Sequence, residues 1–294
     1  MKISDFPIFE ITPSSPNWPM LLNKLPDPPK KLFFRGKWDN SLFEKSLAIV
    51  GSRRMTNYGE RVLEMLIPSL VAEKTAIISG FMYGVDTKAH QECLECGGRT
   101  IAVLGGGLNV LYPPENESLY IKTLRGNGLI VSEYPSEQKP QLWTFVQRNR
   151  LVAGLSSLGV LVIEAGEKSG SLVTANIALK LKRAVYAIPG PINASTSKGT
   201  NMLIKQNLAK IVLSTGDVVE SDLTKRSSKK EPTGLTTEEL KIIELLSAEA
   251  MTLDELALKI GKNIIETGQA LTLMSLKGLV EENGGKYCLK NDLL

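Results

Sequence analysis

Short apolar runs alternate with helix-spaced apolar positions along the middle of the chain. Leu47 to Val50 is apolar and leads to Gly51, and Gly59 to Glu73 then places Val62, Leu66 and Leu70 on one helix face. Ala76 to Ser79 repeats the scheme, ending at Gly80 before a helix that begins near Asp86. A third copy runs from Thr100 to Leu104, turns through Gly105-Gly106-Gly107, and leads to a helix over Asn116 to Leu124. Leu129 to Ser132, Val160 to Ile163 and Val185 to Ile188 supply further buried strands. This alternation predicts an α/β fold with a doubly wound, mostly parallel sheet. Such sheets bind ligands beyond the carboxyl ends of their strands, where Ser52, Arg53, Gly80, Gly105 and residues 166 to 171 all fall.

The pattern changes toward the C-terminus. Thr236 to Leu246, Leu253 to Ile260 and Ile264 to Leu279 read as three amphipathic helices, after which Asn283-Gly284-Gly285 makes a turn before a strand over Lys286 to Leu289. Three helices and a β-wing describe a small winged-helix domain. Between the two patterns, residues 222 to 234 hold Lys225-Arg226-Ser227-Ser228-Lys229-Lys230 and almost no apolar side chain, which predicts a basic, flexible linker. The expected organisation is therefore an N-terminal extension over residues 1 to 45 packed on the core, an α/β domain over 46 to 221, the linker, and a winged-helix domain over 235 to 294.

A length of 294 residues fits two domains, and 43% hydrophobic with 22% charged residues is the composition of an ordinary globular protein. No uninterrupted apolar run approaches about 18 residues, and no secretory apolar stretch follows Met1, so neither a membrane span nor a signal peptide is expected and the cytoplasm is the default location. Cys93 and Cys96 form one CxxC with His90 three residues earlier. A structural zinc site needs four ligands and Cys288 lies far away, so no metal is expected. The net charge of +4 is unevenly spread: residues 235 to 294 hold ten acids against six lysines, whereas the preceding residues carry 29 basic and 21 acidic groups. The front of the chain is the candidate for a polyanion, and the third winged-helix helix, with Lys277 and the preceding Lys262, is poorly equipped to grip duplex phosphates.

Candidate chemistry concentrates at two turns. Gly51-Ser52-Arg53 joins a strand to a helix, and Ser169-Gly170-Ser171 opens another helix; both offer backbone N–H donors at the positive end of a helix dipole. Arg148-Asn149-Arg150 lies just before the apolar strand at Leu158 to Ile163, so cations and donors converge on a polyanion. The turns contain no G-x-x-x-x-G-K-[ST] segment, and Gly105-Gly106-Gly107-Leu108-Asn109-Val110 stops short of G-x-G-x-x-G. A P-loop and a nicotinamide cofactor are disfavoured, and no cofactor is expected. Ser52 and Arg53 are assigned to phosphate, with Gly80, Gly105 and Gly106 at neighbouring strand ends and Thr174 one turn beyond Gly170. Arg148 and Arg150 share a face in extended backbone and diverge in a helix, so one can bind nucleic acid while the other braces the fold, with Asn149 bonding the turn. Phe145 either stacks on a base or belongs to the core, Lys139 is a candidate backbone contact, Asp86 reads as a helix N-cap, and His90 packs locally.

The residues in order resemble the DNA-processing protein A (DprA/Smf) family: Ala48-Ile49-Val50-Gly51-Ser52-Arg53 with Tyr58-Gly59, Ser79-Gly80 with Gly84-Val85-Asp86, Thr100-Ile101-Ala102-Val103-Leu104-Gly105, Tyr112-Pro113, Ser132-Glu133, Phe145 with Arg148-Asn149-Arg150 and Ala153-Gly154-Leu155-Ser156, Glu164-Ala165 with Ser169-Gly170-Ser171-Leu172, and Ile188-Pro189-Gly190. The resemblance implies a Rossmann-like core that binds single-stranded DNA without enzymatic activity, forms a homodimer through that core, protects incoming DNA and helps load RecA recombinase in natural transformation. Phe81-Met82-Tyr83, Val146-Gln147, Asn207 and Trp18-Pro19 depart from the family's usual residues. Two alternatives stay open: a nucleotide N-glycosidase of the lysine-decarboxylase-like type, whose P-G-G-x-G-T-x-x-E motif is not matched at Ser169 to Ala175 but for which Glu164 is a test residue, and a nucleic-acid sensor in defence.

Overall fold

The computed structural model describes residues 2–126, 128–219 and 236–289. The chain divides into two compact units, Met1–Asp222 and Leu223–Leu294. The expected linker with its basic cluster lies outside the described residues. Among the described residues no helix is long and apolar enough to cross a membrane.

The first unit is built on β1 (Phe9–Ile11), β2 (Leu32–Gly36), β3 (Ser46–Val50), β4 (Ala76–Ser79), β5 (Thr100–Val103), β6 (Leu129–Ser132), β7 (Gly159–Val162), β8 (Val185–Ala187) and β9 (Lys210–Ile211). They form one nine-stranded sheet in the order β1-β2-β6-β5-β4-β3-β7-β8-β9. From β6 to β9 along that order every pairing is parallel. The chain winds outward from β3 through β4 and β5 to β6, then returns to the other side of β3 as β7. The topological switch point therefore lies between β3 and β7, and their carboxyl ends carry the two Gly/Ser turns. Residues 1 to 45, expected only to pack on the core, also extend the sheet: β2 runs antiparallel to β6 and β1 antiparallel to β2.

Both faces of the parallel strands are covered, which is why they read as unbroken apolar runs. Alternate residues serve alternate layers. Ala48, Val50, Ile78, Val160 and Val162 pack against α5 (Leu142–Leu155) and α6 (Gly170–Lys180). Leu47, Ile49, Ile77, Leu161 and Ile163 pack against α2 (Asn57–Ala72) and α3 (Val85–Glu95). A further cluster joins Ala102 and Ile130 to Leu119, Tyr120 and Leu124 of α4 (Glu117–Arg125). Two shorter helices, α1 (Ser41–Glu44) and α7 (Lys198–Lys205), complete the unit.

The second unit holds α8 (Thr237–Ala248), α9 (Leu253–Ile260) and α10 (Ile264–Leu276), followed by the hairpin of β10 (Val280–Asn283) and β11 (Lys286–Leu289). Each helix starts where the sequence supplies a cap: Thr236, Thr252 and Asn263 accept from the backbone N–H of Glu239, Glu255 and Glu266. Ile242, Leu246, Leu256, Leu271, Met274 and Leu289 form the core. This is the winged-helix architecture expected. Lys277, however, is tied 2.6 Å from the buried carboxylate of Glu239, so the cation nearest α10 already serves the fold.

Candidate nucleic-acid interface

A cavity of about 820 Å³ opens at the switch point of the sheet. Its first wall is the loop after β3. Gly51 is required there, because a Cβ would come 2.6 Å from Val85 Cγ2. The Ser52 hydroxyl donates to the Arg54 carbonyl at 2.9 Å and accepts from the Arg54 N–H at 3.1 Å, which closes the loop and turns Arg53 and Arg54 to the surface. Neither arginine makes an ion pair among the described residues, and the Arg53 guanidinium lies 5.6 Å from the Phe145 ring centroid.

The second wall is the loop from β7 into α6. The Ser169 hydroxyl accepts from the Ser171 N–H at 3.3 Å and lies 2.7 Å from the Ser171 hydroxyl, capping the helix. Gly170 has nothing within 4 Å of where a Cβ would sit, so its backbone faces open space. Ser169, Gly170, Ser171 and Thr174 all line the cavity, as does the exposed Lys168. First-turn N–H groups and the dipole here favour an anion.

The third wall is α5, one face of which contributes Leu142, Phe145, Val146, Asn149 and Val152. A capping box formed by Gln141 and Thr144 starts this helix. Its helical geometry decides between the alternatives left open for Arg148 and Arg150: two residues apart, they project in nearly opposite directions. Arg148 is 3% exposed and points inward, where it donates to the Gly80 carbonyl at 2.5 Å and to the Val103 carbonyl. It thus holds the ends of β4 and β5 together while lining the cavity floor with Gly80. Arg150 points away and binds both carboxylate oxygens of Glu133 at 2.6 and 2.7 Å, outside the cavity. Both arginines brace the fold, where one was expected to do so and the other to bind nucleic acid; of the two, only Arg148 also lines the cavity.

Three further candidates lie off the cavity. Gly105 and Gly106 sit behind α5; a Cβ on Gly105 would meet Phe145 Cδ1 at 2.6 Å, so this glycine makes room for the ring. Gly106 accepts from Ser132 Oγ at 2.7 Å. Lys139 is exposed and does not line the cavity. Phe145 is half-buried, with one side against Gly105 and Tyr112 and the other toward the cavity, so it is part core and part cavity wall. Arg54, Lys168 and Lys198 also line the cavity and were not among the residues expected there. The first two adjoin residues already singled out; Lys198, which pairs with Glu167 at 3.4 Å across two exposed side chains, comes from a segment with no signal of its own.

Buried polar groups underlie this surface. Asp86 is not the N-cap of α3, a place taken by Gly84; its carboxyl accepts from the Met82 N–H at 3.3 Å beside Arg148. Burial pushes the Asp86 pKa up, against the opposing charge of Arg148, and the same burial brings Arg148 down to about 10. His90 is fully buried. Its Nδ1 lies 2.6 Å from Thr100 Oγ1, whose own proton goes to the Ile77 carbonyl at 2.7 Å, so Nδ1 is the donor and Nε2 carries the lone pair. Burial first, and Arg148 second, lower the His90 pKa to about 3. Glu164 is 2% exposed, and its two oxygens accept from the N–H and hydroxyl of Thr56, the N-cap of α2, rather than facing the cavity. Among the described residues no group of three or more His, Cys, Asp or Glu is arranged to hold a metal ion.

An open, cation-rimmed cavity between two donor-bearing turns at the switch point of a doubly wound sheet has the chemistry that suits a phosphate-rich ligand. The chain belongs to the DNA recombination-mediator protein A family, whose profile matches residues 10–222; that of the DprA winged helix domain matches residues 226–286. Protein Smf of Synechocystis is 40% identical over 214 residues, covering 72% of this chain and 53% of the relative, so the chain spans about half the length of that curated relative. The X-ray structure of DNA processing protein A from Streptococcus pneumoniae superposes with a TM-score of 0.67 at 38% identity, covering 75% of each chain. A structure of DNA processing protein A from Helicobacter pylori, concerned with its single-stranded DNA binding mode, gives 0.66 at 32% identity and covers 76% of this chain and 99% of that one.

Proposed function

We propose that the first unit binds single-stranded DNA in the switch-point cavity and that the protein acts as a recombination mediator. The observation that carries this reading is the pairing of a cation that makes no ion pair among the described residues with an aromatic ring: Arg53 lies over the Phe145 ring, 5.6 Å from its centroid, at the cavity wall. A phosphate bound by the arginine and a base stacked along the Arg53–Phe145 pair can be contacted together when the base is unpaired, which favours a single strand over duplex. The Helicobacter pylori relative, at 32% identity over 76% of this chain, supports the same ligand class.

Arg53, Arg54 and Lys168 are the exposed cavity cations without ion pairs among the described residues, Arg148 being buried and bound to two carbonyls. Three phosphate contacts give a slope of log K against log salt of about −2 for a single strand. The finer parts of the proposal are transfer of the bound strand to RecA, action in the cytoplasm, and homodimer formation through the first unit. β9 is an open sheet edge with Ile211 and the following Leu213 45% and 68% exposed, a surface suited to a second copy. In the second unit, α10 exposes Ile265, Leu273 and Leu276, which supports protein contact rather than a grip on duplex phosphates.

The test is fluorescence anisotropy with a labelled oligothymidylate across a salt series. Arg53→Ala is expected to weaken binding roughly 10- to 150-fold, as for loss of hydrogen bonds to a charged group. Arg150→Met, whose cation is held by Glu133, serves as the control and changes affinity less than about twofold. Tight binding of mononucleotides with none of oligonucleotides, or equal binding by Arg53→Ala, overturns the proposal.

A further inference from the structure

The first turn of α5 borders the mouth of the cavity and is apolar where a surface helix start ordinarily is polar. Leu142 is 85% exposed, Val146 55% and Trp143 53%. Leu142 and Val146 lie on the helix face that lines the cavity beside Phe145. Trp143 stands one residue further round, alongside Val146 at the i+3 position. Its indole is not loose: the N–H donates to the Gln141 side chain, and the ring meets that of Tyr134 edge to face, with centroids 6.0 Å apart at 85°. A large aromatic group held at two points with half of its surface open is preorganised for a planar partner.

We propose that Leu142, Trp143 and Val146 form a second base-stacking subsite, which takes the nucleobase next to the one held at Phe145 as a single strand leaves the cavity. The proposal rests on the reading of the cavity as a single-strand site. A nucleobase, rather than a protein segment, is the occupant because the apolar turn is continuous with the cavity wall and the unpaired cations Arg53, Arg54 and Lys168 share that cavity. A strand with its phosphates near those cations presents its bases to the surfaces between them, and stacking on such a surface tolerates any base. The ligand class follows: an oligonucleotide of at least several unpaired nucleotides is preferred to a mononucleotide, because a mononucleotide reaches one aromatic surface and leaves the other bare.

The experiment compares the full chain with Trp143→Ala, Trp143→Phe, Leu142→Ser and Arg53→Ala, using labelled dT20 and a fully abasic strand of the same length. Trp143→Ala is expected to weaken dT20 binding roughly 5- to 150-fold, Trp143→Phe to restore most of it, and the loss to be confined to the strand that carries bases. Leu142→Ser, at a side chain too exposed for the change to disturb folding, shifts affinity in the same direction. If wild type binds dT20, Arg53→Ala loses it and both Trp143→Ala and Leu142→Ser bind as wild type, the subsite is overturned while the cavity reading stands. An equal loss on the abasic strand likewise overturns it. Failure of wild type to bind dT20 overturns the cavity reading itself, and the subsite with it.

Discussion

Replacing Arg148 with methionine keeps most of the side-chain length and removes the guanidinium from the cavity floor. That guanidinium donates to the carbonyls of Gly80 and Val103 and lies beside Asp86: a Cβ on Gly80 would come within 2.7 Å of both Arg148 Nη2 and Asp86 Oδ2. Removing the guanidinium leaves the buried Gly80 and Val103 carbonyls without this donor, at about 1–3 kcal/mol for each unsatisfied group, which for a unit of this size lowers Tm by roughly 4–24 °C. The loss depends on pH in a direction the structure fixes. The Asp86 pKa is already raised by burial, and Arg148 opposes that rise. Without Arg148 it moves further above its unfolded value. A carboxyl with a raised folded pKa favours folding below the unfolded value, and that contribution disappears as pH rises through the folded one. His90 acts in the same sense, because Arg148 helps to depress it and its removal makes the variant less sensitive to acid than wild type. The destabilisation of Arg148→Met is therefore larger at pH 8 than at pH 5. Urea unfolding followed by circular dichroism at both pH values measures it, and the double variant with Asp86→Asn recovers part of the loss through their coupling. A cost below about 1 kcal/mol at pH 8, or one that grows on acidification, refutes this account of the floor.

Two other outcomes follow from the same geometry. His90 is the single histidine of the chain, and its folded pKa near 3 lies below the usual 6.5; the stability it supports is present above pH 6.5 and is lost as pH falls toward 3, by up to about 1.4 kcal/mol per pH unit. His90→Gln flattens that slope in acid titrations of stability, and an unchanged slope excludes the assignment. Gly51→Ala forces a Cβ against the branched side chain of Val85, whereas Gly170→Ala meets open space. The first lowers stability by about 1–3 kcal/mol. The second leaves stability equal or raises it by about 0.4–1 kcal/mol while weakening oligonucleotide binding where a phosphate must approach the backbone. Equal thermal stabilities for the two variants contradict the packing argument.

The parallel strands were legible because strands buried on both faces become short unbroken apolar runs, and the turns between them announce themselves by glycine and serine. β1 and β2 were not: they span three and five residues, and Phe33 and Phe34 are half-buried, leaving neither alternation nor a long run to read. α5 was hidden for a different reason. Thr144 and Arg148 occupy buried positions on it, so its inward face does not look apolar. The burial of Arg148 is itself invisible in sequence, since its carbonyl partners, Gly80 and Val103, lie 68 and 45 residues away. Glycines posed the converse problem. Gly51 and Gly80 touch the cavity while Gly105 supports α5 from behind and Gly106 packs on the loop at Gln138 and Pro140, and nothing local distinguishes a glycine that lines a cavity from one that admits a phenylalanine ring.

The division among the cations gives the proposed site a way to hold a strand without reading its sequence. The floor is close-packed: Arg148 is spent on two carbonyls, Gly80 has no room for a side chain, and Ser52 closes its own loop. None of these groups can rearrange to discriminate one base from another. Arg53, Arg54 and Lys168 are exposed long side chains on the rim, placed to meet a backbone whose charge is the same at every nucleotide. Phe145 offers each base an apolar face rather than a pattern of donors and acceptors. A close-packed floor with an exposed cationic rim therefore favours affinity that varies with salt and only weakly with base composition.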